Sequence, residues 1–584
     1  MDLAKATLAV SFLVMAASGR GAGPSNDAAQ MTTLSQDEAA AQARLDLKNV
    51  DPLGDLQNDL GISPDQLRWH IPDPEPGWEV MARRLERAEA EGDKSAASLA
   101  RRNMERFAQI RRPQRLRLTL DDALRRALEH NYIIEVERYN PAIETTRVVE
   151  AEAAFDAVFF TSVSKQLVDR PTGSQLVSSD ADILDSSYGV RKLLPSGMQV
   201  SAAYGLDRTK SSLSFQQINP EYFSTIALEA RQPFLRGFGL DYNRALIRLS
   251  KNDQRVSTLA FRRQVRDTLR EVEEAYWRVV QARRDIIIEA RLLAEFEGIY
   301  EYLEARQAFD ATPVQLAATK ADLETSRAAF VRLQAAVLDA EDTLIAAMND
   351  PELNLADDVE IVPADFPNLV RVQVDRLADV QTALDNRPEI HEQELQVASA
   401  RILLDRAKID ELPRLDVLFR YTIDGLAGTA DKSFDEVTRH NYVDYLIGVE
   451  LEIPIGNRGP RAAHQRARLQ HAQAMAQLKA VIEQTILDVN RSARALSTAY
   501  DQILPSFESA DAREREVDSI VARAERKDFN TLTTELNSRR RLALARRDML
   551  GAMVNYNIAI FTLEAAKGTL LRYNNVFIAG DEEE

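Results

Sequence analysis

The chain contains no cysteine in its 584 residues, which removes disulfides, thiolate chemistry, zinc sites of the Cys type and a lipid on an N-terminal Cys together. It has only 22 Gly and 21 Pro, and they gather near the expected turns, leaving long segments between them uninterrupted. That pattern argues against the three or four compact domains that the length alone would suggest. Histidine is scarce too: His70, His130, His391, His440, His464 and His471 are scattered, and the seven-residue spacing of His464 and His471 is not the three or four of metal ligands on a helix. Basic charge is outweighed, and a formal net charge of −18 argues against nucleic acid as a partner, because phosphate binding needs a basic surface. Beyond the first 17 residues no apolar run approaches the ~18 residues of a spanning helix, so any part that enters a membrane must do so as β-strands.

No catalytic constellation emerges either. Gly237-Phe238-Gly239 lacks the third glycine and the βαβ surroundings of a dinucleotide loop. Acid pairs such as Glu273-Glu274 and Asp357-Asp358 arise by chance in a chain this rich in carboxylates. The reading is of a protein that is not an enzyme and needs no cofactor or metal. The clusters Arg539-Arg540-Arg541 and Arg546-Arg547 read as solvated helix faces.

What is present is a unit that occurs twice: a β-like run, a Gly turn and a very long helical stretch. Gln232-Pro233-Phe234-Leu235-Arg236-Gly237-Phe238-Gly239 runs into Leu240 to Glu297, and Leu451-Glu452-Ile453-Pro454-Ile455-Gly456-Asn457-Arg458-Gly459 runs into Arg461 to Leu504. A helix of about 60 residues would extend about 90 Å at 1.5 Å per residue, so the chain is built to cross a distance. Gly237, Gly239, Pro454 and Gly456 are the expected strand-to-helix hinges. Each long helix then turns and comes back, through Phe309-Asp310-Ala311-Thr312-Pro313 into Val314 to Asp350, and through Lys527-Asp528-Phe529-Asn530-Thr531 into Leu532 to Leu550. On the first returning helix Leu316, Leu323, Phe330, Leu333, Val337 and Leu344 fall on spacings of three, four and seven, a packing seam.

Residues 1–18 read as an export signal, with Lys5, an apolar run Ala6 to Ala17 and small residues at the cleavage point; an uncleaved apolar helix is the alternative. Residues 19–115 form an N-terminal extension, 116–370 and 371–571 two halves that echo each other, and 572–584 an acidic tail. Half one carries about 37 extra residues between matched landmarks, in its β-like region. That half shows three runs, Phe155 to Leu167, Ser187 to Leu206 and Ser224 to Phe234, against two in half two, Arg414 to Ile423 and Tyr442 to Ile455. If the helices approach and leave from one side of a membrane, the crossings per half are even, and one run of half one is then expected to be an external loop segment or part of a bent strand. Phe155, Phe159, Leu446 and Leu451 are the expected outward-pointing apolar residues.

These residues resemble the outer-membrane efflux protein family, the TolC-like exit ducts of tripartite pumps and type I secretion systems. The resemblance runs from about Leu116 to Leu571 through Leu118-Thr119-Leu120-Asp121-Asp122-Ala123-Leu124, Asn386-Arg387-Pro388-Glu389-Ile390, Ile453-Pro454-Ile455-Gly456 and Asn555-Tyr556-Asn557-Ile558-Ala559 with Leu563 and Gly568. It implies a mainly α fold with membrane β-strands: a homotrimer in which each chain gives four strands to a shared barrel and helical hairpins to a long α-helical periplasmic barrel, built from two internal structural repeats. It implies a passive channel in outer-membrane lipid, docked by its helical tips onto a periplasmic adaptor and served by an inner-membrane transporter of RND, ABC or MFS type. Phe309, Thr312, Pro313, Lys527 and Asn530 would form those tips, and Asp310, Asp528 and Glu535 are candidate mouth acids. At the tips the family's usual Gly is missing. The contrasting reading is a periplasmic coiled-coil adaptor or scaffold without a pore, which has no need for amphipathic strands at matching positions.

Overall fold

A computed structural model describes residues 114–173, 178–213, 216–309, 311–353, 359–523 and 529–578, with a few short stretches between 60 and 101. The signal segment 1–18, nearly all of the extension, Asp357-Asp358, the tail from 579 onward, and Asp310, Lys527 and Asp528 lie outside the described residues.

A short strand β1 (Gln114–Leu118) leads to helices α1 (Leu120–His130) and α2 (Tyr132–Glu152), and then come strands β2 (Val158–Asp169), β3 (Asp180–Leu193), β4 (Gln199–Ser211) and β5 (Glu221–Pro233). A single turn α3 (Leu240–Asn243) opens the 61-residue helix α4 (Ala245–Ala305), and α5 (Pro313–Met348) returns. The chain continues with β6 (Val359–Pro363), α6 (Arg376–Asn386), α7 (Pro388–Asp410), β7 (Arg414–Ala427), a short helix α8 (Ala430–Thr438) and β8 (Tyr442–Glu452). It ends in α9 (Arg458–Asp501), α10 (Ile503–Arg523), α11 (Phe529–Lys567) and α12 (Leu570–Tyr573).

The described chain divides into two compact units. The first takes in Met1–Arg138, Ala260–Glu389 and Ile482–Glu584. Here β1 and β6 pair in parallel, Gln114 beside Val359 through Leu118 beside Pro363. Around them packs a core of Leu118, Leu124, Leu269, Val272, Tyr276, Val280, Leu344, Met348 and Ile361. The helix start at Thr119 forms as its sequence dictates, since the Thr119 hydroxyl accepts from the Asp122 N–H and Asp121 and Asp122 occupy the positive first turn. The heptad-like seam on α5 is also used: Leu323, Phe330 and Val337 are buried against Ile286, Leu293 and Phe296 of α4 and Leu536 of α11. The most apolar helical stretch among the described residues, within Thr531–Lys567, is 78% buried, so it is a core helix of this unit.

The second unit takes in Tyr139–Leu259 and Ile390–Val481. Its centre is a six-stranded antiparallel sheet in the order β2-β3-β4-β5-β7-β8. Half one therefore supplies four strands, where three runs were expected. The run Ser187 to Leu206 is not one segment but parts of β3 and β4, joined by a tight turn in which the Gly197 N–H donates to the Leu194 carbonyl at 2.8 Å. Gly197 has φ +91°, and a Cβ there would lie 2.4 Å from the Gly237 carbonyl oxygen, so only glycine closes this hairpin. The additional residues of half one are thus a complete β-hairpin, and the even number of strands is met without a loop segment. Instead of the four barrel strands that the resemblance implies, this sheet has six among the described residues.

Candidate functional site

Alternation along the strands separates the sheet into two chemically distinct faces. Register places Phe159, Val190, Ala202, Leu228, Tyr421 and Tyr445 side by side across all six strands. The neighbouring rows on that face carry Val200, Ala230, Phe419 and Ile447 on one side, with Lys192 near its end, and Thr161, Tyr188, Tyr204, Ile226, Ile423 and Val443 on the other. Phe159, Tyr445, Ile447, Val449 and Leu451 on this face are exposed. An exposed apolar band this continuous does not belong to a surface meant for water.

The opposite face is polar and ion-paired. Arg231 donates to Glu450 at 2.6 Å, Arg420 to Glu229 at 3.4 Å, Arg414 to Asp416 at 2.9 Å and Thr225 to Asp424 at 2.8 Å. Small residues fill the space between them: Gly189, Ala203 and Ala227 form one row, Ser187, Gly205 and Thr225 the next. Two expected outward residues require correction. Leu446 pairs with Arg420 on the polar face, because its even position puts it opposite Leu451, and Phe155 lies in a 3₁₀ turn, Ala153–Phe155, ahead of β2. Period two is evident in β8 from sequence, but assigning single residues to a face needs the cross-strand register as well.

Helix α8 bridges β7 and β8 by lying on one end of the apolar face. Ser433 and Ser224 hydroxyls meet at 2.8 Å, Phe434 packs edge-on against Tyr204 with ring centroids 5.7 Å apart, and Val437 is buried. Gly425 makes this approach possible, since a Cβ would stand 2.2 Å from the Ser433 carbonyl.

At the other end, strands turn into helices through the hinges that the sequence marks. Gly237, Gly239 and Gly456 have φ +82°, +103° and +90°, and Asn457 adds a fourth positive value. The Asn243 amide donates to the carbonyls of Gly237 and Gly239, both at 2.9 Å, and the Asn457 amide donates to the Glu411 carbonyl at 2.7 Å. Pro454 follows the end of β8, where no ladder N–H is needed. His464 accompanies this second hinge, 2.7 Å from the Glu411 carboxylate. Exposed Phe234 and Phe238 stack at 6.1 Å beside the first hinge.

At the reversal between α4 and α5, Phe309 is 87% exposed and Thr312 caps α5 in a capping box with Gln315, with Pro313 in its first turn. Asn530 lies in the first turn of α11. Glu535 is buried rather than open to solvent, and Arg539 holds it at 2.7 Å while also reaching Glu295 at 2.9 Å. The arginine clusters are likewise not bare solvated faces: Arg540 pairs with Asp322 at 2.8 Å, Arg541 with Glu516 at 3.0 Å and Arg546 with Glu514 at 2.9 Å. Among the described residues no group of His, Asp and Glu is arranged to hold a metal.

Apart from the hinge at Ile453 to Gly456, the motifs through which the sequence resembles a family include anchors of the first unit. Glu389 binds Arg266 and Arg387; Tyr556 donates to the Val370 carbonyl at 2.6 Å; and the Asn557 amide donates to the Asn368 carbonyl at 3.0 Å while its oxygen accepts the Asn368 N–H. Gly568, with φ +77°, lies so close to Asn386 that a Cβ would be 2.8 Å from its carbonyl oxygen.

Comparison with known proteins agrees with this reading. The sequence model of the family described as outer membrane efflux protein matches residues 380–569. The proteases secretion protein PrtF of Dickeya chrysanthemi is 25% identical over 372 residues, covering 61% of this chain and 76% of that protein. A crystal structure of a membrane protein from Pseudomonas aeruginosa superposes with a TM-score of 0.59 at 16% identity, over 77% of this chain and 93% of the other. The Campylobacter jejuni CmeC outer membrane channel gives 0.56 at 14% identity, over 77% and 86%. At these identities the structures establish a shared fold.

Proposed function

We infer that this chain, a relative of the outer membrane efflux proteins, is an exit duct seated in the outer membrane with its helical part in the periplasm. The observation that carries the reading is the six-stranded sheet with one exposed apolar face, one charged face and two unpaired edges, β2 and β8. In lipid an open edge leaves backbone N–H and C=O groups without partners, at several kcal/mol each, so copies of the chain must join edge to edge and close a barrel. β2 and β8 run in opposite directions, so β8 of one copy continues the antiparallel ladder into β2 of the next. The apolar face then meets lipid and the charged face lines the lumen.

The assembly is taken to be a homotrimer, as the resemblance implies, with 116–370 and 371–571 as its two repeats. Phe309, Thr312 and Pro313, with Lys527 and Asn530, would dock a periplasmic adaptor, and an inner-membrane transporter would supply the energy. Asp310 and Asp528 remain the candidate mouth acids, whereas Glu535 is better assigned to holding Arg539. The relative PrtF favours a secretion system over a drug pump as the setting.

Ion conductance across a planar bilayer after adding the purified full-length protein tests the reading. Discrete, long-lived channel steps are the expected result. A folded protein that remains monomeric in detergent and never conducts would return it to the scaffold class, which requires no pore.

A further inference from the structure

We propose that the added hairpin β3–β4 widens the barrel to eighteen strands, so that the lumen accepts a polypeptide at least as thick as two packed helices. The inference rests on the trimeric duct reading and goes beyond it by setting the bore and the cargo class.

The hairpin is inserted within the sheet and is not laid over it. β3 pairs with β2 along twelve residues and β4 with β5 along eleven, so both strands are part of the wall. In the second half α7 enters the sheet through β7 and the chain leaves through β8; in the first half β2 and β5 hold the corresponding entering and leaving positions. β3 and β4 therefore have no counterpart in the second half. Three copies of six strands make eighteen; without the hairpin they would make twelve.

Strand spacing and tilt convert that count into a bore. With strands about 4.8 Å apart and tilted about 40°, eighteen enclose a backbone cylinder about 36 Å across and twelve one of about 24 Å. Side chains take about 5 Å from each wall, which leaves about 26 Å against about 14 Å. One α-helix with side chains is about 10–12 Å wide, so the narrower bore passes one and the wider bore two side by side.

The lumen face of the hairpin keeps the space open. It presents Ser187, Gly189, Ala203 and Gly205 in its middle rows, and the Arg191 that stands beside Ser201 lies over the Phe160 ring at 5.9 Å, whereas a plugged barrel would need bulk there. The ring of Phe160 lies over Gly189, where a Cβ would stand 2.5 Å from the ring, so Phe160 lies along the wall instead of projecting from it. Opposite charges across β5, β7 and β8 are paired with each other, and on the hairpin itself Asp185 and Asp207 stand side by side, so the only like-charge pair among the described residues along its wall is acidic and would repel an acidic chain. A small solute has no use for this width; a polypeptide retaining secondary structure does.

The test is an electron-microscopic strand count on the full-length protein in lipid nanodiscs, joined to polymer exclusion in planar bilayers with polyethylene glycols added on the barrel side. Eighteen strands are expected, and deletion of Asp180–Ser211 should give twelve and reduce the radius of the largest polymer admitted about twofold. Twelve strands in the unaltered protein, or the same polymer limit with and without the hairpin, would overturn the proposal. If the deletion variant does not assemble, the strand count of the unaltered protein decides alone. A channel with twelve strands would sink only this inference, whereas a protein with no closed barrel would sink the duct reading beneath it.

Discussion

Glu389, at the start of α7, holds the buried guanidinium of Arg266 on α4 through two contacts, 2.8 Å and 3.3 Å. Arg387 adds a second cation at 3.2 Å. The pair links two segments of the first unit that are 123 residues apart in sequence. Burial acts to raise the Glu389 pKa, but Arg266 and then Arg387 outweigh it and hold the carboxyl at about 2. A depressed carboxylate contributes stability that is complete above its unfolded value near 4.5 and is lost as pH falls toward 2. Glu389→Gln should therefore lower stability by about 3 kcal/mol at pH 7, with the gap closing between about pH 4.5 and 2. Thermal melts of the solubilised protein across that range check it; a gap that stays constant with pH would refute the assignment.

Asp285 on α4 carries the opposite sign. Burial pushes its carboxyl up to about 6, Arg547 at 3.5 Å offsets this only in part, and Asp548 and Glu289 add to the rise. An acid raised from 3.8 binds its proton more tightly when folded, so the protein gains stability as pH falls through 6 toward 4. Asp285→Asn should raise the melting temperature at pH 7.5, by the equivalent of up to about 3 kcal/mol, and have little effect at pH 4. Equal melting of both proteins at pH 7.5 would count against it.

Gly568 terminates α11 with φ +77°, and the nearest atom to an added Cβ is backbone, the Asn386 carbonyl oxygen at 2.8 Å. Backbone cannot rotate aside as a side chain can. Gly568→Ala should cost about 1–3 kcal/mol through strain and displacement of the Asn386 turn. Unchanged denaturation would mean that this turn is free to shift.

The long helices, their hinges and the two strands of half two were legible because their signals are local: glycine at positive φ, period two in Tyr442 to Glu452, a capping Thr before Pro313. The number of strands in half one was not, although Leu194-Pro195-Ser196-Gly197 is a turn signal between two alternating stretches. The faces of the sheet were half legible, because alternation gives two sets of residues and only cross-strand register says which sets share a side. The buried role of Glu535 and the pairing of the arginine clusters were out of reach, since those partners lie on other helices and composition alone made solvated faces the default.

Register turns the two sides of β8 into a direct contrast between adjacent residues. Ile447 stands beside Phe419 on the apolar face and Leu446 beside Arg420 on the polar one, and both side chains are exposed in the single chain. If the apolar face meets lipid, Ile447→Arg buries a guanidinium among acyl chains and should cost about 2–4 kcal/mol per chain near the bilayer midplane. Leu446→Arg places the same charge in a water-filled lumen, where Arg420 and Glu229 already stand, and should leave assembly intact. The yield of assembled protein in outer-membrane fractions separates the two: loss with the first and normal yield with the second is the expected outcome. The reverse would place the charged face toward lipid and overturn the barrel. Equal tolerance of both would mean that β8 never enters a bilayer, because no spanning strand is indifferent to which of its faces carries an arginine.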